Sequence, residues 1–176
     1  MGLNLVNGEN SFDGYSTALN IVTPDATNTS EFSNNNYSEG TFGVTGYAAM
    51  GVGRYLKAKG NYSQAFGYYN LSKSRGAHTE GTNNVVGSDD DVAIGEYGHA
   101  EGGANIVTGK YAHAEGGGNH GGNEGNIASG SSSHAEGRKT QATGDASHAE
   151  GYGTYTEGTG AHAEGYVDID NGKEKS

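Results

Sequence analysis

Histidine and glutamate recur together in one tetrapeptide of this sequence. His-Ala-Glu-Gly occurs five times, and successive copies start 14, 21, 14 and 14 residues apart. The copies are His99–Gly102, His113–Gly116, His134–Gly137, His148–Gly151 and His162–Gly165. An imidazole and a carboxylate one residue apart suit proton transfer or metal binding. Five copies at multiples of seven residues instead indicate one structural unit built repeatedly.

Catalytic motifs that contain these residue types are incomplete here. His-x-Glu begins the zinc deaminase signature, which also needs two cysteines, and the chain has no cysteine. The zinc protease motif His-Glu-x-x-His is also absent. The sequence therefore predicts that the protein is not an enzyme and uses no cofactor.

Glycine shows the period most clearly, because it recurs every seven residues from Gly130 to Gly165. Seven residues accommodate a short strand and a tight turn, in which glycine supplies positive φ. A coiled coil has the same period, but glycine in every heptad and the lack of an apolar seam exclude it. Strict phase, twelve tyrosines and one proline argue against a disordered Gly/Ser-rich segment.

Two seven-residue steps predict a 14-residue coil that contains two strands. Side chains alternate across a strand, so Ser133, Ala135, Thr140 and Ala142 face inward, whereas His134 and its equivalents face outward. Alanine in every copy indicates a very narrow interior. The predicted fold class is all-β, a thin parallel β-roll or solenoid with eight coils between about Tyr47 and Gly165.

Two long additions interrupt the period and predict recognition loops. The steps from Gly81 to Gly95 and from Gly116 to Gly130 are each 14 residues, and Gly51 to Gly60 carries two extra residues. We expect all three additions after the His-Ala-Glu-Gly strand, and the two long ones to protrude from the same edge. The candidate loop residues are Asn83, Asn84, Asp89, Asp90, Asp91, Asn119, His120, Asn123 and Glu124.

Ligand sites within these loops are disfavoured by their spacing. The three aspartates could bind Ca²⁺, but no calcium-loop spacing surrounds them, so a solvated acidic loop is the preferred interpretation. The glycine-rich stretch 117–122 lacks the strand and the lysine of a phosphate-binding loop. Tyrosines on outward positions suit stacking on sugars or protein recognition, and packing at trimer or loop contacts is the favoured alternative.

Composition limits the partners. Only 32% of residues are hydrophobic, so a thin roll has little core and we expect an obligate oligomer. The net charge of −11 argues against nucleic acid and anionic membrane surfaces. The sequence has no apolar run long enough to predict membrane insertion, and no secretory signal is recognised at the N-terminus.

The repeat divides the chain into three predicted parts. Residues 1–45 are expected to form an N-terminal cap or attachment segment, with a strand over Leu19–Thr23. Residues 46–165 form the repeat domain. Residues 166–176 are expected to be a fraying exit or a junction.

The repeat resembles a known family. Ser133-His134-Ala135-Glu136-Gly137 and its neighbours are similar to the head repeats of trimeric autotransporter (YadA-like) adhesins, in a His-Ala-Glu-Gly form that recurs in bacteriophage tail fibres. The apolar adhesin form is similar to Val92-Ala93-Ile94-Gly95. The resemblance covers about residues 47–165. It implies a left-handed parallel β-roll in a homotrimer.

The resemblance also implies which residues assemble the trimer. The positions that flank the small alanine face neighbouring chains in the family. Here they are His99, Glu101, His113, Glu115, His134, Glu136, His148, Glu150, His162 and Glu164. We expect His–Glu pairs between chains that raise the histidine pKa, so that their stabilisation fades as pH rises. A metal held on the trimer axis by His134 or His148 is the alternative to a hydrogen-bonded ladder.

These expectations favour a fibre over an enzyme. The predicted function is a bacteriophage tail-fibre or similar virion module that binds a host surface glycan or protein and contacts other virion proteins. The alternatives are a bacterial adhesin head on the cell surface and a structural spacer that binds nothing. A depolymerase would need a carboxylate pair in a groove, and only the repeat supplies regular carboxylates.

Overall fold

The computed structural model describes residues 19–22, 43–44, 46–91, 93–118, 124–168 and 173–175. The regular structure of these residues is β-strand throughout, and they contain no helix long and apolar enough to cross a membrane. The strands are, in chain order, β1 (Leu19–Val22), β2 (Gly43–Val44), β3 (Met50–Arg54), β4 (Lys57–Ala58), β5 (Gln64–Tyr68), β6 (Leu71–Ser72), β7 (His78–Thr82), β8 (Val85–Val86), β9 (His99–Gly103), β10 (Ile106–Val107), β11 (His113–Gly116), β12 (Ile127–Ala128), β13 (His134–Arg138), β14 (Gln141–Ala142), β15 (His148–Tyr152), β16 (Tyr155–Thr156), β17 (His162–Ala163), β18 (Tyr166–Asp168) and β19 (Lys173–Lys175).

The strands form two sheets, and each coil adds one strand to each sheet. The long-strand sheet has eleven strands in the order β1-β3-β5-β7-β9-β11-β13-β15-β18-β19, with β17 paired to β15. The short-strand sheet has eight strands in the order β2-β4-β6-β8-β10-β12-β14-β16. Pairing is parallel except between β18 and β19. The predicted parallel β-solenoid is confirmed, with eight long strands between residues 47 and 165.

The coils stack in register, so equivalent residues form columns. His134, Ala135 and Glu136 pair with His148, Ala149 and Glu150. The predicted alternation is confirmed, because the motif alanines Ala100, Ala114, Ala135 and Ala149 are fully buried, and Ser133, Thr140 and Ala142 are buried with them. The interior is narrow because its side chains are alanine, serine, threonine and valine.

A column of buried asparagines completes the interior, and the sequence analysis missed it. The members are Asn70, Asn84, Asn105 and Asn126, all inaccessible to solvent. Asn105 Nδ2 donates to the Glu101 and Gly116 carbonyls, and its Oδ1 accepts the Asn126 backbone N–H at 2.8 Å. Each asparagine therefore satisfies backbone groups at a corner where the hydrogen bonds between neighbouring strands are interrupted. The 14- and 21-residue spacings of these asparagines share the phase of the repeat.

Glycine acts differently at the two corners of the coil. At the corner after the long strands, the glycine of the motif has positive φ, as for Gly137 at 105°. A Cβ on Gly137 would lie 2.1 Å from the Gly151 carbonyl oxygen. At the other corner, Gly130 and Gly144 do not have positive φ, so the prediction of positive φ at every glycine is wrong. Glycine is required there because a Cβ added to Gly130 would lie 2.0 Å from the Gly144 carbonyl oxygen of the next coil.

The two long additions lie at different corners, so the expectation of one shared edge is wrong. β7 leads to β8 with the regular spacing, and the first addition follows Val86, between β8 and β9. The second addition lies between β11 and β12, after the long strand as predicted. The two extra residues expected after Gly51 are also absent. Gly51 pairs with Ala65 and occupies the alanine column, so that coil has regular length.

Both ends of the repeat carry further strands. The strand predicted near Leu19 is confirmed as β1, which pairs in parallel with β3, and β2 pairs with β4. The predicted cap therefore contributes to both sheets. At the other end, β18 pairs with β15 and forms an antiparallel pair with β19. The predicted domain boundaries themselves remain predictions.

Candidate functional site

Six histidines form a stacked column on the outer side of the long-strand sheet. They are His78, His99, His113, His134, His148 and His162. Successive ring centroids lie 4.5–4.9 Å apart, and the rings are within 10° of parallel. This spacing is that of neighbouring strands, so in-register pairing produces the stack.

A glutamate column runs beside the histidines, two residues further along each strand. His134 Nε2 lies 3.4 Å from a Glu115 carboxylate oxygen, and His148 Nε2 lies 3.7 Å from Glu150 and 3.9 Å from Glu136. These contacts join residues of one chain, whereas the sequence analysis expected His–Glu pairs between chains. We call the outer surface formed by His78–Glu80, His99–Glu101, His113–Glu115, His134–Glu136 and His148–Glu150 the histidine–glutamate face.

One nitrogen of each histidine ring on this face has no hydrogen-bond partner within the described residues. The Nε2 atoms of His78, His99, His113, His134 and His148 are shielded from solvent and unsatisfied. The side chains as a whole remain about one-third exposed, so the rings are accessible along their edges. A shielded polar atom without a partner costs stability.

Burial and stacking both act on the pKa of His99. Burial lowers the pKa of His99, and the neighbouring His78 and His113 rings lower it further, while Glu101 and Glu80 oppose the shift with smaller effects. Within one chain the pKa of His99 thus moves opposite to the expected direction, and the rise expected for pairs between chains stays a prediction. The stacked His78 ring disfavours the charged form of His99 because the two like charges would lie less than 5 Å apart.

The histidine–glutamate face becomes apolar toward the N-terminal end. Gln64 precedes the histidine column in register, and Phe66 precedes the glutamate column. Val52 pairs with Phe66 in the strand before. The Phe66 ring packs edge-on against His78, with centroids 5.6 Å apart. The face therefore combines an apolar end with a long polar section.

Parts of this face bring potential metal ligands together. Four groups of histidine nitrogens and carboxylate oxygens each lie within 4.8 Å of one another. The groups are His134–Glu136–His148, His148–Glu150–His162, Glu80–His99–Glu101 and Glu101–His113–Glu115. His134 and His148, the metal candidates of the sequence, thus share one group. His162 and Glu164 at the C-terminal end are exposed.

The first candidate recognition loop is held against the roll. Asp89 accepts hydrogen bonds from Lys57 at 2.5 Å and pairs with Lys73 at 2.9 Å. Burial raises the pKa of the Asp89 carboxyl, but the lysine hydrogen bonds and charges outweigh it and lower the pKa to about 2. Asp90 and Asp91 are exposed. Their role in recognition remains a prediction.

Asn84 does not belong to a loop, contrary to the sequence interpretation. It is fully buried in the asparagine column, and its Oδ1 accepts the Asn105 backbone N–H at 2.9 Å. Its neighbour Asn83 lies at the corner with φ of 60°. Neither residue is part of the addition, which begins after Val86.

The second candidate loop is described only at its ends. Glu124 pairs with Arg138 and lies 3.6 Å from Lys139, so the loop returns against the following coil. The Arg138 hydrogen bond lowers the pKa of Glu124. Asn119, His120 and Asn123 lie outside the described residues.

An exposed tyrosine pair lies at the corner that carries the first addition. The Tyr97 and Tyr111 rings stack with centroids 5.4 Å apart and planes 10° apart, and they are 46% and 57% exposed. Both residues have positive φ, which is unfavourable for a bulky side chain. Lys110 lies over the Tyr111 ring and 3.0 Å from Glu96. Sequence alone identified the tyrosines but not this pairing.

Comparison with known proteins does not identify a family. No protein-family model matches the chain, and the search of curated proteins finds no similar chain.

Proposed function

We propose that the chain is a homotrimeric fibre module, a left-handed β-roll whose histidine–glutamate face contacts neighbouring chains. The observation that supports this most is the row of shielded, unsatisfied Nε2 atoms on that face. Neighbouring chains would supply hydrogen-bond partners and cover Phe66 at its apolar end. The resemblance to trimeric adhesin and phage-fibre repeats supports the same arrangement.

A thin interior also favours assembly. The buried side chains are almost all small, with Val86 and Val107 the largest fully buried ones among the described residues. Such a core buries little apolar surface per residue, so further burial between chains would stabilise the roll. Light scattering during size exclusion tests this: three times the chain mass supports the proposal, and a monomer contradicts it.

The biological role that suits this architecture is attachment, as part of a phage tail fibre or related virion fibre. Three chains would present the tyrosine pair to a host surface glycan or protein, and multivalency would raise the avidity. Aromatic rings that are stacked, exposed and flanked by Glu96 and Lys110 suit a sugar ring with its hydroxyls. A bacterial adhesin head would use the same surface.

Binding can be tested with variants that the fold tolerates. Tyr97→Ser and Tyr111→Ser place serine at a corner position where Ser132 already has φ of 55°. We expect both variants to keep the oligomer and to lose binding on a glycan array or host cells. Tyr155→Ser, on the outer side of the short-strand sheet, is the matched control. A wild-type chain that binds neither sugars nor cells would support the spacer alternative instead.

A further inference from the structure

The strongest group of potential ligands joins two neighbouring coils. His134 and Glu136 lie on β13 and His148 lies on β15, and their ligand atoms are all within 4.8 Å of one another. The three side chains are half-buried. In-register pairing of His134 with His148 fixes the two imidazoles side by side. Two imidazole nitrogens and one carboxylate form a donor set typical of zinc and related divalent transition metals.

We propose that His134, Glu136 and His148 bind one divalent transition-metal ion of the zinc type. All three ligands come from one chain, so the site does not depend on the proposed trimer. Three protein ligands leave at least one coordination position open to water or to another group.

The unsatisfied nitrogens are a second observation at this site, where the metal ion would satisfy His134 and His148 and neighbouring chains would satisfy the Nε2 atoms of the other column histidines. The Nε2 atoms of His134 and His148 are shielded from solvent and have no hydrogen-bond partner within the described residues. The carboxylates of Glu136 and Glu150 approach His148 only to 3.9 and 3.7 Å. Lone pairs that point at no donor are available to a metal ion, which would remove the cost of leaving them unsatisfied.

Small side-chain rotations are sufficient to close the site. Ligand atoms on one tetrahedral zinc ion lie about 3.4 Å apart, given bonds of about 2.0–2.1 Å. The present separations exceed this by at most about 1.4 Å, since all ligand atoms lie within 4.8 Å of one another and His148 Nε2 lies 3.9 Å from Glu136. Rotation of the imidazoles and of the flexible glutamate chain can supply that movement while the backbone pairing of β13 with β15 is kept.

The nearby cations do not occupy the carboxylate of the site. Arg138, the other charged residue of β13, donates to Glu124, and Lys139 lies 3.6 Å from the same glutamate. Their charges are thus directed to the second loop rather than to Glu136. A metal ion would therefore not have to displace a salt bridge from the glutamate.

The donor atoms of the four groups predict which metal ion binds and at which group. The groups around His99 and His113 offer one imidazole and two carboxylates, and the group around His162 contains an exposed end histidine. Zn²⁺, Co²⁺ and Cu²⁺ favour imidazole, whereas Mg²⁺ and Ca²⁺ favour oxygen ligands. We therefore expect the tightest binding of Zn²⁺ at the two-histidine group on β13 and β15, and no comparable binding of Mg²⁺.

The test uses the full chain, purified without a histidine tag and stripped of metal with a chelator. Titration calorimetry with zinc chloride is compared between wild type, His134→Gln, His148→Gln and Glu136→Gln. Glutamine is tolerated in the histidine column because Gln64 already occupies it. Gln141→Ala, on the short-strand sheet, is the matched control, and circular dichroism and light scattering verify fold and assembly.

We expect each site variant to weaken the tightest Zn²⁺ binding at least about tenfold and the control to leave it unchanged. Co²⁺ should give the visible absorption of a bound ion in wild type and lose it in His148→Gln. Absence of Zn²⁺ binding in wild type would overturn the proposal, as would equal affinity for Mg²⁺ or binding unchanged by the three site variants.

Discussion

At the scale of single residues, stacking decides which side chains the coil tolerates. The motif glycines have positive φ and also lie directly beneath the backbone of the next coil. A Cβ added to Gly137 would collide with a carbonyl oxygen of the following coil. A Cβ added to Gly165, which lies at the end of the stack with φ of 116°, would have no atom within 4 Å. The same motif position therefore carries two separable costs, backbone strain and collision.

Substitution of the motif glycine separates these costs. Gly137→Ala should lower the free energy of unfolding by about 3 kcal/mol, because strain and collision add. Gly165→Ala should lower it by only about 1 kcal/mol, because strain acts alone. Urea unfolding followed by circular dichroism at one protein concentration measures both, and equal losses would contradict the stacking argument.

The asparagine column makes a second prediction for single residues. Asn105→Ala leaves buried backbone groups unsatisfied and should cost about 3 kcal/mol. Asn105→Thr should cost less, because Thr154, at the equivalent position two coils after Asn126, donates to the Glu150 carbonyl at 3.1 Å. Thermal unfolding compares the two variants, and a threonine variant no more stable than the alanine variant would contradict this role.

At the scale of elements, the alternation within a strand could be predicted, but the corner used by each addition could not be read from glycine spacing. Buried alanine alternates with outward histidine because side chains alternate in any strand, so the interior followed directly. The step from Gly81 to Gly95 has the same length whichever corner holds the extra residues. Alignment of Val85–Val86 with Ile106–Val107 would have shown that the addition follows β8.

The face was predicted only in part for a similar reason. The sequence predicts outward His134 and Glu136 and pairs between chains, but not the contacts within one chain. In-register parallel pairing instead brings His134 beside His148 within one chain. Stacking and its effect on protonation follow from register, which a repeat spacing of 14 or 21 residues does not itself reveal.

The Asp89 contacts predict how the first addition responds to acid and to mutation. Because the folded pKa is about 2, the stabilisation is fully present above the ordinary aspartate pKa of about 3.9 and is lost as pH falls through 2. At neutral pH, Asp89→Asn removes the charge that pairs with Lys57 and Lys73, so the first addition should separate from the roll. Faster hydrogen exchange at residues 87–91 would show this release, with exposed Asp90→Asn as the control. Unchanged hydrogen exchange in Asp89→Asn would contradict the claim that the Asp89–lysine contacts hold the first addition against the roll.

At the scale of the whole molecule, His99 links stability to pH. A lowered His99 pKa means that the unfolded chain binds protons more readily below about pH 6.5 than the folded chain does. The free energy of unfolding should therefore fall as pH decreases below 6.5 and be fully retained above it. This direction is opposite to the one expected from the sequence.

Thermal unfolding between pH 5 and pH 8, in the presence of a chelator, measures this link. His99→Gln should show a smaller pH dependence than wild type, because glutamine does not titrate and suits the column. The Asp89 contribution lies at much lower pH and does not interfere. A melting temperature that rises on acidification would contradict the lowered pKa.

The central claim is that the histidine–glutamate face is the surface on which chains assemble. The chain has no cysteine, so single spin labels can be placed at Glu136→Cys and at Gln141→Cys, on the outer sides of the two sheets. Pulsed electron resonance then measures distances between equivalent labels of neighbouring chains. We expect a shorter distance for labels at Glu136 than for labels at Gln141. A shorter distance at Gln141, or no inter-chain distance at either position, would contradict it.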